Sequence, residues 1–332
     1  MNLHTILLAA LAVTTTALFL YSIPAGKQLE SDLAKDFLSF NTRFGKTYVS
    51  LEERAFRFQI YARNKQLIAR QNAKNLPYQL GETPFTDMTF EEFSSRHLFA
   101  AHIAHRPNSH ASSRVLIKDG DKDWRKDGKV NPPGDSNIQD EAWASSGISS
   151  IESAIAIKTG QLVSLSTDEV IACATSGTRQ NIGGGFLSTT FDYVQKNNVN
   201  LKTDYTAGPF ECKPNFSKPR YGIQNSQAVS PPDVNGLIDA LNSVPVSVVF
   251  EVREDFEHYV SGVYTNDDNT CGQQLNHTLA AVGYSVYAGS GFFILKNSWG
   301  PDWGEEGYVR VAIGTQSGTC GIASEFDLYA QV

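Results

Sequence analysis

The sequence predicts an α+β protein in which a helical N-terminal segment precedes a body made of helices and an antiparallel sheet. Residues 51–75 contain no Pro or Gly and place apolar side chains at helical spacing. A second helical run covers residues 142–158 and ends at Thr159-Gly160. After Val244, short apolar runs are bounded by Gly and Asp, which indicates strands. These runs are PVSVVFEV, HTLAAVGY, GFFILKN and GYVRVAI.

The first 22 residues, 1–22, are predicted to be a secretory signal peptide. They contain no Lys, Arg, Asp or Glu, and an apolar run extends from Ile6 to Tyr21. An uncleaved membrane anchor is the alternative, because a spanning helix needs about 20 apolar residues. No later segment is long and apolar enough to span, so no stable membrane span is expected after signal removal. The signal predicts the secretory pathway, with an extracellular or endolysosomal destination.

Residues 23–115 form a basic segment ahead of an acidic body. Besides the long helix, helices are predicted at residues 32–43 and directly after Thr89, a candidate N-cap. Residues 100–116 contain three His, one Pro and no acidic residue, which is typical of an exposed linker that proteases cut. Residues 23–115 carry 13 Lys and Arg against 9 Asp and Glu, whereas residues 116–332 carry 15 against 26. We therefore expect the basic segment and the acidic body to attract each other. We also expect that the acidic body has no nucleic-acid partner.

Four cysteines lie in the second half of the chain, at Cys173, Cys212, Cys271 and Cys320. In an exported chain an even number favours two disulfides over free thiols, and spacing alone leaves all three pairings open. None of the four has zinc-like neighbours, so neither a metal site nor another cofactor is expected.

Several motifs with fixed spacing extend over nearly everything after residue 30. The long predicted helix follows the pattern E-x3-R-x3-F-x2-N-x3-I-x3-N with one change, and G-x-N-x-F-x-D follows it, again with one change. The matching residues are Glu53, Arg57, Tyr61, Asn64, Ile68 and Asn72, then Gly81, Thr83, Phe85 and Asp87. The body adds Asp123-Trp124-Arg125, LVSLSTDEVIAC, LNHTLAAVGY and FILKNSWGPDWGEEGYVRV.

With these motifs, the chain resembles a papain-like cysteine protease of the cathepsin L type with its inhibitory propeptide. The resemblance implies a papain-like two-domain fold, with a helical domain, an antiparallel β-barrel-like domain and a cleft between them. It assigns residues 23–115 to the propeptide, which would bind the body in cis, and residues 116–332 to the papain-like body. It also implies the disulfides Cys173–Cys212 and Cys271–Cys320.

The resemblance further implies a defect in the catalytic site. The family places a Cys at a helix N-terminus beside a His that an Asn orients. An alignment without gaps from Asp123 brings Trp143 onto the signature aromatic, so that Ala142 occupies the nucleophile position. His277 and Asn297 remain, 135 and 155 residues further on (277 − 142 and 297 − 142). Ser136 replaces the Gln that donates to the oxyanion.

Five signature positions differ together, which indicates natural loss of catalysis: Ser136, Gln139, Asp140, Ala142 and Ile182. Gln139 and Ile182 stand where the family has the two halves of another disulfide. Asp140 and Glu141 suit the positive end of the helix, but they would raise the pKa of a thiol placed there.

The substrate groove is expected to be intact. Gly184 and Gly185 would offer backbone hydrogen bonds to an extended peptide, and Trp299 would pack on His277. Ordinary core and loop packing is the alternative for these positions and for the residues expected to line the main specificity pocket, which are Phe186, Leu187, Val249 and Thr278. The predicted function is a non-catalytic pseudoprotease that binds peptide or protein partners in this cleft.

Two other functions are open at this point. The first is a hydrolase with an unconventional nucleophile. Neither nearby serine suits this role, because Ser146 lies about 6 Å deeper along the helix than Ala142, and Ser145 is rotated off the helix face that carries Ala142. The second is a structural or storage protein that never uses the groove. Two glycosylation sequons also occur, and we expect modification at Asn215, whereas Asn276 lies in the predicted cleft and should stay bare.

Overall fold

The computed structural model describes residues 25–98, 103–104, 117, 119–134, 141–174, 187–266, 270–314, 317–324 and 326–332. The predicted signal peptide and the predicted boundary at residues 115/116 lie outside these ranges. Within them the helices are α1 (Ala25–Arg43), α2 (Leu51–Asn72), α3 (Phe90–His97), α4 (Ala142–Thr159), α5 (Thr167–Ala174), α6 (Leu187–Asn197) and α7 (Val234–Leu241). None of the helices in the described ranges has the length and apolar character needed to cross a membrane.

The described strands are short, apart from β10. They are β1 (Tyr78–Leu80), β2 (Ile103–Ala104), β3 (Gly120–Asp123), β4 (Val199–Asn200), β5 (Arg220–Tyr221), β6 (Asn225–Ala228), β7 (Val246–Phe250), β8 (Tyr259–Tyr264), β9 (Gln274–Leu275), β10 (His277–Tyr287), β11 (Ser290–Lys296), β12 (Tyr308–Ala312) and β13 (Leu328–Gln331). Single 3-10 turns occur at Phe256–His258 and Thr319–Gly321.

The chain divides into two compact units, Met1–Arg63 and Asn64–Val332. The described part of the first contains α1 and most of α2, packed through a small aromatic core of Phe37, Phe40 and Tyr61. Tyr61, the position where the propeptide pattern has Phe, is fully buried there, with its ring centroid 5.1 Å from that of Phe40. Helix α1 begins seven residues earlier than predicted, because Gly26 weakens the helical pattern without preventing the helix.

The second unit contains the rest of the predicted propeptide together with the body. Helix α2 ends three residues before the predicted Asn75, which adopts a left-handed conformation that Asn tolerates (φ 54°). Helix α3 begins as predicted after Thr89, through a capping box with Glu92. Asn64 donates from Nδ2 to the carbonyls of Thr86 and Met88, at 3.0 and 2.9 Å, and thereby fixes the loop before α3 on α2.

Helix α4 is the central helix of the body. It is buried on nearly all sides, and the predicted end is confirmed because Gly160 closes it in a left-handed conformation (φ 79°). Helices α5 and α6 pack against one another, and α6 packs against α4. The sequence patterns did not predict α5, α6 or α7, which contain only 8, 11 and 8 residues.

The main sheet has nine strands in the order β1-β8-β12-β11-β10-β7-β13-β6, with β3 also paired to β10. The four predicted strand runs are confirmed as β7, β10, β11 and β12. The described strands do not close into a barrel, because β1 of the propeptide and β6 are separate edges of an open sheet. The sheet is also not wholly antiparallel, because β12 and β8 run parallel.

Two disulfides join the body, Cys173–Cys212 and Cys271–Cys320. These are the pairs that the family resemblance implied. The first holds the end of α5 to the loop before β5, and the second holds the segment before β9 to the turn at Thr319–Gly321.

Candidate functional site

The sheet side of the site is a histidine held by an asparagine. His277 is the first residue of β10, and Asn297 directly follows β11. His277 Nε2 lies 3.0 Å from Asn297 Oδ1, which also accepts a hydrogen bond from the Ser298 backbone at 2.8 Å. Because Oδ1 can only accept, Nε2 must carry the proton, and Nδ1 of the neutral ring is an acceptor.

The imidazole of His277 is buried and neutral at neutral pH. The residue is 0% exposed, and this burial lowers its pKa to about 4, reinforced by the charge of His97 and opposed by the hydrogen bond with Asn297. The backbone of His97 raises the pKa and so offsets part of the effect of burial. The Trp299 ring packs beside the imidazole at a centroid distance of 4.8 Å.

On the helix side of the site, the first residue of the helix carries only a methyl group. Ala142 is the first residue of α4, and both it and the N-cap residue Glu141 are buried. One turn further along, the buried Ser146 hydroxyl donates to the Leu279 carbonyl at 2.6 Å. This hydrogen bond joins α4 to β10. Ala142 lies about 6 Å from Ser146 along the helix axis, and His277 lies about 7 Å from Leu279 along the strand.

The predicted pocket residues that the structure describes form part of a small apolar cluster. Leu187 and Val249 are buried there with Leu275, which the sequence patterns did not single out. Thr278 pairs with Val249 across β10 and β7. The predicted groove residues Gly184, Gly185 and Phe186, and the oxyanion position Ser136, lie outside the described residues.

Three buried polar atoms of the sheet side have no hydrogen-bond partner within the described part of the chain. They are His277 Nδ1, Asn297 Nδ2 and Thr278 Oγ1. Buried polar groups are normally paired, so each unpaired one requires an explanation, such as a bound ligand. Asn297 Nδ2 could donate a hydrogen bond to a ligand, His277 Nδ1 could accept one, and the hydroxyl of Thr278 could do either.

The predicted propeptide packs directly on this side of the site. Phe93 and His97 of α3 contact Trp299 edge-to-face, with centroid distances of 5.0 and 6.3 Å, and Phe85 adds a third edge-to-face ring at 5.8 Å. The hydroxyl of Thr83 donates to the Glu257 carbonyl at 2.9 Å, and the Gly81 N–H donates to the His258 carbonyl at 2.8 Å. Gly81, Thr83 and Phe85 of the second propeptide motif therefore contact the body.

A second part of the predicted propeptide adds a strand beside the apolar cluster. Strand β2 pairs antiparallel with β9, in the register Ile103 to Leu275 and Ala104 to Gln274. The segment before β9 is held by Glu251, whose Oε2 accepts the backbone N–H groups of residues 272, 273 and 274 at 2.8, 2.9 and 2.9 Å. Neither Glu251 nor β2 carries a local sequence signal that would have revealed this role.

Comparisons with known proteins agree with this arrangement. Residues 120–329 match the papain family cysteine protease domain, and residues 37–93 match the cathepsin propeptide inhibitor domain. The chain is 37% identical over 300 residues to the thiol protease aleurain of Arabidopsis thaliana, covering 87% of this chain and 82% of that protein. It is 36% identical over 309 residues to pro-cathepsin H of Medicago truncatula, covering 89% and 85%.

Solved precursor structures share the fold. A recombinant stem bromelain precursor superposes with a TM-score of 0.78 at 30% identity, over 91% of this chain and 99% of that one. Digestive procathepsin L 3 of the Tenebrio molitor larval midgut superposes with a TM-score of 0.77 at 28% identity, over 90% and 99%. The chain therefore belongs to the papain family of cysteine proteases, with a cathepsin propeptide inhibitor domain preceding the protease domain in the same chain.

Proposed function

We propose that this protein is a pseudoprotease, which binds a peptide or protein partner in the cleft of a papain-family protease without cleaving it. The observation that carries the proposal is the side chain at the tip of α4. The methyl group of Ala142 has neither a lone pair nor an ionisable proton, so it cannot form the covalent acyl intermediate on which cysteine proteases depend. The change from Gln to Ser136 removes an oxyanion donor as well.

The arrangement of Ser146 argues against a replacement nucleophile. Its hydroxyl is buried and already donates to the Leu279 carbonyl at 2.6 Å. To attack a substrate, it would have to break this bond and leave a buried carbonyl unpaired. A hydrolase with an unconventional nucleophile is therefore the weaker alternative.

Peptide binding is supported by three features of the cleft. Among the described residues, His277 Nδ1, Asn297 Nδ2 and Thr278 Oγ1 have no hydrogen-bond partner. The apolar cluster around Leu275 lies beside strand β9, and β9 already accepts an extended segment of the same chain as an added strand. Strand addition gives main-chain hydrogen bonds, while pockets for alternate side chains give specificity. The protein is expected to enter the secretory pathway and to reach an extracellular or endolysosomal site. The predicted signal at residues 1–22 supports this localisation.

The proposal is tested first by turnover. Purified full-length protein, acidified to release the propeptide, should not hydrolyse fluorogenic peptides faster than the matched His277→Ala variant. Turnover that the His277→Ala change abolishes would show that the site is catalytic and the proposal wrong. Mass spectrometry of the same samples reports whether the propeptide has been cut.

Binding is tested separately, with the protein co-purified from its native source. We expect Gly185→Trp, at the predicted groove, to release peptides or proteins that wild type retains, while the body stays folded. If every interaction survives Gly185→Trp, the structural or storage function is favoured instead.

A further inference from the structure

The loop that follows Cys212 carries the sequon Asn215-Phe216-Ser217 on the surface of the body. Asn215 is half-buried, and its Oδ1 accepts hydrogen bonds from the backbone and the hydroxyl of Ser217 at 3.1 and 2.6 Å. Among the described residues, its Nδ2 donates only one hydrogen bond, a long one of 3.4 Å to the Asp204 carbonyl. One of the two N–H groups is therefore not needed for the fold.

A buried polar network holds this loop rigidly. Asn200, which is fully buried, donates from Nδ2 to the Asn215 carbonyl at 2.9 Å and accepts the Asn215 N–H at 2.8 Å. Arg220 joins the same network, with Nη1 2.7 Å from Asn200 Oδ1 and Nη2 2.7 Å from Oε1 of the buried Glu169. Charge-assisted bonds of this kind are short and strong, so the backbone of the sequon is fixed in place.

Phe216 forms an apolar platform beside Asn215. The Arg220 guanidinium carbon lies 5.0 Å from the centre of its ring, so one face is held by a cation–π contact. The residue is nevertheless 80% exposed, which leaves the rest of the ring uncovered. The ring borders a surface cavity of about 500 Å³ that Pro214 and Lys196 also line. An exposed aromatic ring beside such a cavity is a surface for an apolar face of a ligand.

The other sequon, Asn276-His277-Thr278, has the opposite environment. Asn276 is 4% exposed, its Oδ1 accepts the Val252 N–H at 2.7 Å, and its Nδ2 donates to the Val252 carbonyl at 3.1 Å. A sugar on this nitrogen would have to enter the core beside a fully buried His277.

We propose that Asn215 carries an N-linked glycan whose first sugar packs on Phe216, and that Asn276 stays unmodified. In the reaction, the Asn215 amide nitrogen attacks the anomeric carbon of an oligosaccharide activated on a lipid diphosphate. The carbon–nitrogen bond forms, the bond to the diphosphate oxygen breaks, the lipid diphosphate leaves and the amide nitrogen loses one proton. The modification requires entry into the secretory pathway and does not depend on whether the cleft is catalytic.

Occupancy is tested on the full-length chain secreted from eukaryotic cells. Peptide mapping before and after treatment with a peptide N-glycosidase should locate one glycan, at Asn215, and none at Asn276. The matched variant Ser217→Ala keeps Asn215 but destroys the sequon, and it should lose the whole mass difference. An unmodified Asn215, or a glycan on Asn276, would overturn the proposal.

The contact with Phe216 is tested by thermal unfolding of glycosylated and enzymatically deglycosylated protein. Removal of the glycan should lower Tm by roughly 2 °C in wild type, the size expected for one modest contact in a body of this length. In Phe216→Ala, occupancy should be unchanged and the Tm difference should vanish. An equal Tm difference in both proteins would show that the sugar does not pack on this ring.

Discussion

The two sides of the cleft differ in how much of the fold depends on them. On the sheet side, His277, Asn297 and Trp299 are all buried. His277 contacts both of the others, and Trp299 packs against aromatic rings of the propeptide. On the helix side, α4 presents the methyl group of Ala142 at its tip. A thiol at that tip serves chemistry, whereas Trp299 also fills the core. The difference teaches that a change at the helix tip disturbs the packing of the body less than a change on the sheet side.

The aromatic cluster around Trp299 shows why the sheet side is constrained. Besides the propeptide rings, Trp299 contacts Trp303 and Phe256, at centroid distances of 4.9 and 5.9 Å. Replacement of Trp299 therefore leaves a cavity bordered by both propeptide and body. A change of one atom at residue 142 disturbs far less packing.

The strongest test of this comparison removes one side chain from each side. Trp299→Ala should lower the free energy of unfolding by about 3–5 kcal/mol through lost burial and the cavity left behind. Ala142→Gly, the matched change at the helix tip, should cost only about 1 kcal/mol, from helix propensity. Chemical denaturation of both variants measures the difference. Equal losses would mean that the two sides contribute equally to the fold.

A second test restores the missing thiol. Ala142→Cys alone should remain about 100- to 1000-fold below Ala142→Cys combined with Ser136→Gln, because one oxyanion donor is worth that factor. The measurement is kcat/KM on a fluorogenic peptide after propeptide release. If the single variant matched the double one, the helix side would have lost the sulfur and nothing else of consequence.

The pH dependence of stability tests the burial of the sheet side. Burial lowers the pKa of His277 from 6.5 to about 4. Between about pH 4 and 6.5, His277 therefore binds a proton in the unfolded chain but not in the folded chain. The contribution of His277 to the free energy of unfolding is therefore fully present above pH 6.5 and is lost as the pH falls towards 4. The total loss is on the order of 3 kcal/mol.

The matched variant for this test is His277→Gln, which cannot titrate. Urea denaturation between pH 4 and 7.5 should show a steeper loss of stability for wild type than for His277→Gln, confined to the acidic half of the range. Parallel profiles would mean that water reaches His277 in the folded protein. Because α3 packs beside it, the same linkage favours release of the propeptide in acid.

The sequence predicted the elements that carry local signals. Helix α4 could be placed because it has a long apolar run and a glycine stop, and α3 because Thr89 is a candidate N-cap, which the structure completes as a capping box with Glu92. Helix α5 was missed although Ser166 and Glu169 have that same spacing, and the Ser166 hydroxyl accepts the Glu169 N–H at 3.1 Å.

Contacts between distant parts of the chain could not be predicted. The pairing of β1 with β8 joins residues about 180 positions apart, for example Tyr78 with Gly262. It depends on a left-handed Gly262 (φ 97°), because a Cβ there would lie 2.4 Å from the Pro77 carbonyl oxygen. Nothing in the sequence around Gly262 specifies its partner, and for the same reason the sequence does not indicate that the edges of the sheet stay open.

The smallest expected effect concerns the bond that joins the two sides. Ser146→Ala should cost about 1–2 kcal/mol, because it leaves the buried Leu279 carbonyl without the hydroxyl that donates to it at 2.6 Å. The matched change at the half-buried neighbour, Ser145→Ala, should stay within about 0.5 kcal/mol.

Urea denaturation and a peptide turnover assay are run on both variants. A stability loss without any change in turnover assigns Ser146 to the joint between helix and sheet. If Ser146→Ala instead abolished a measurable hydrolysis and left stability unchanged, Ser146 would be the nucleophile, and the helix side of the cleft would still be catalytic.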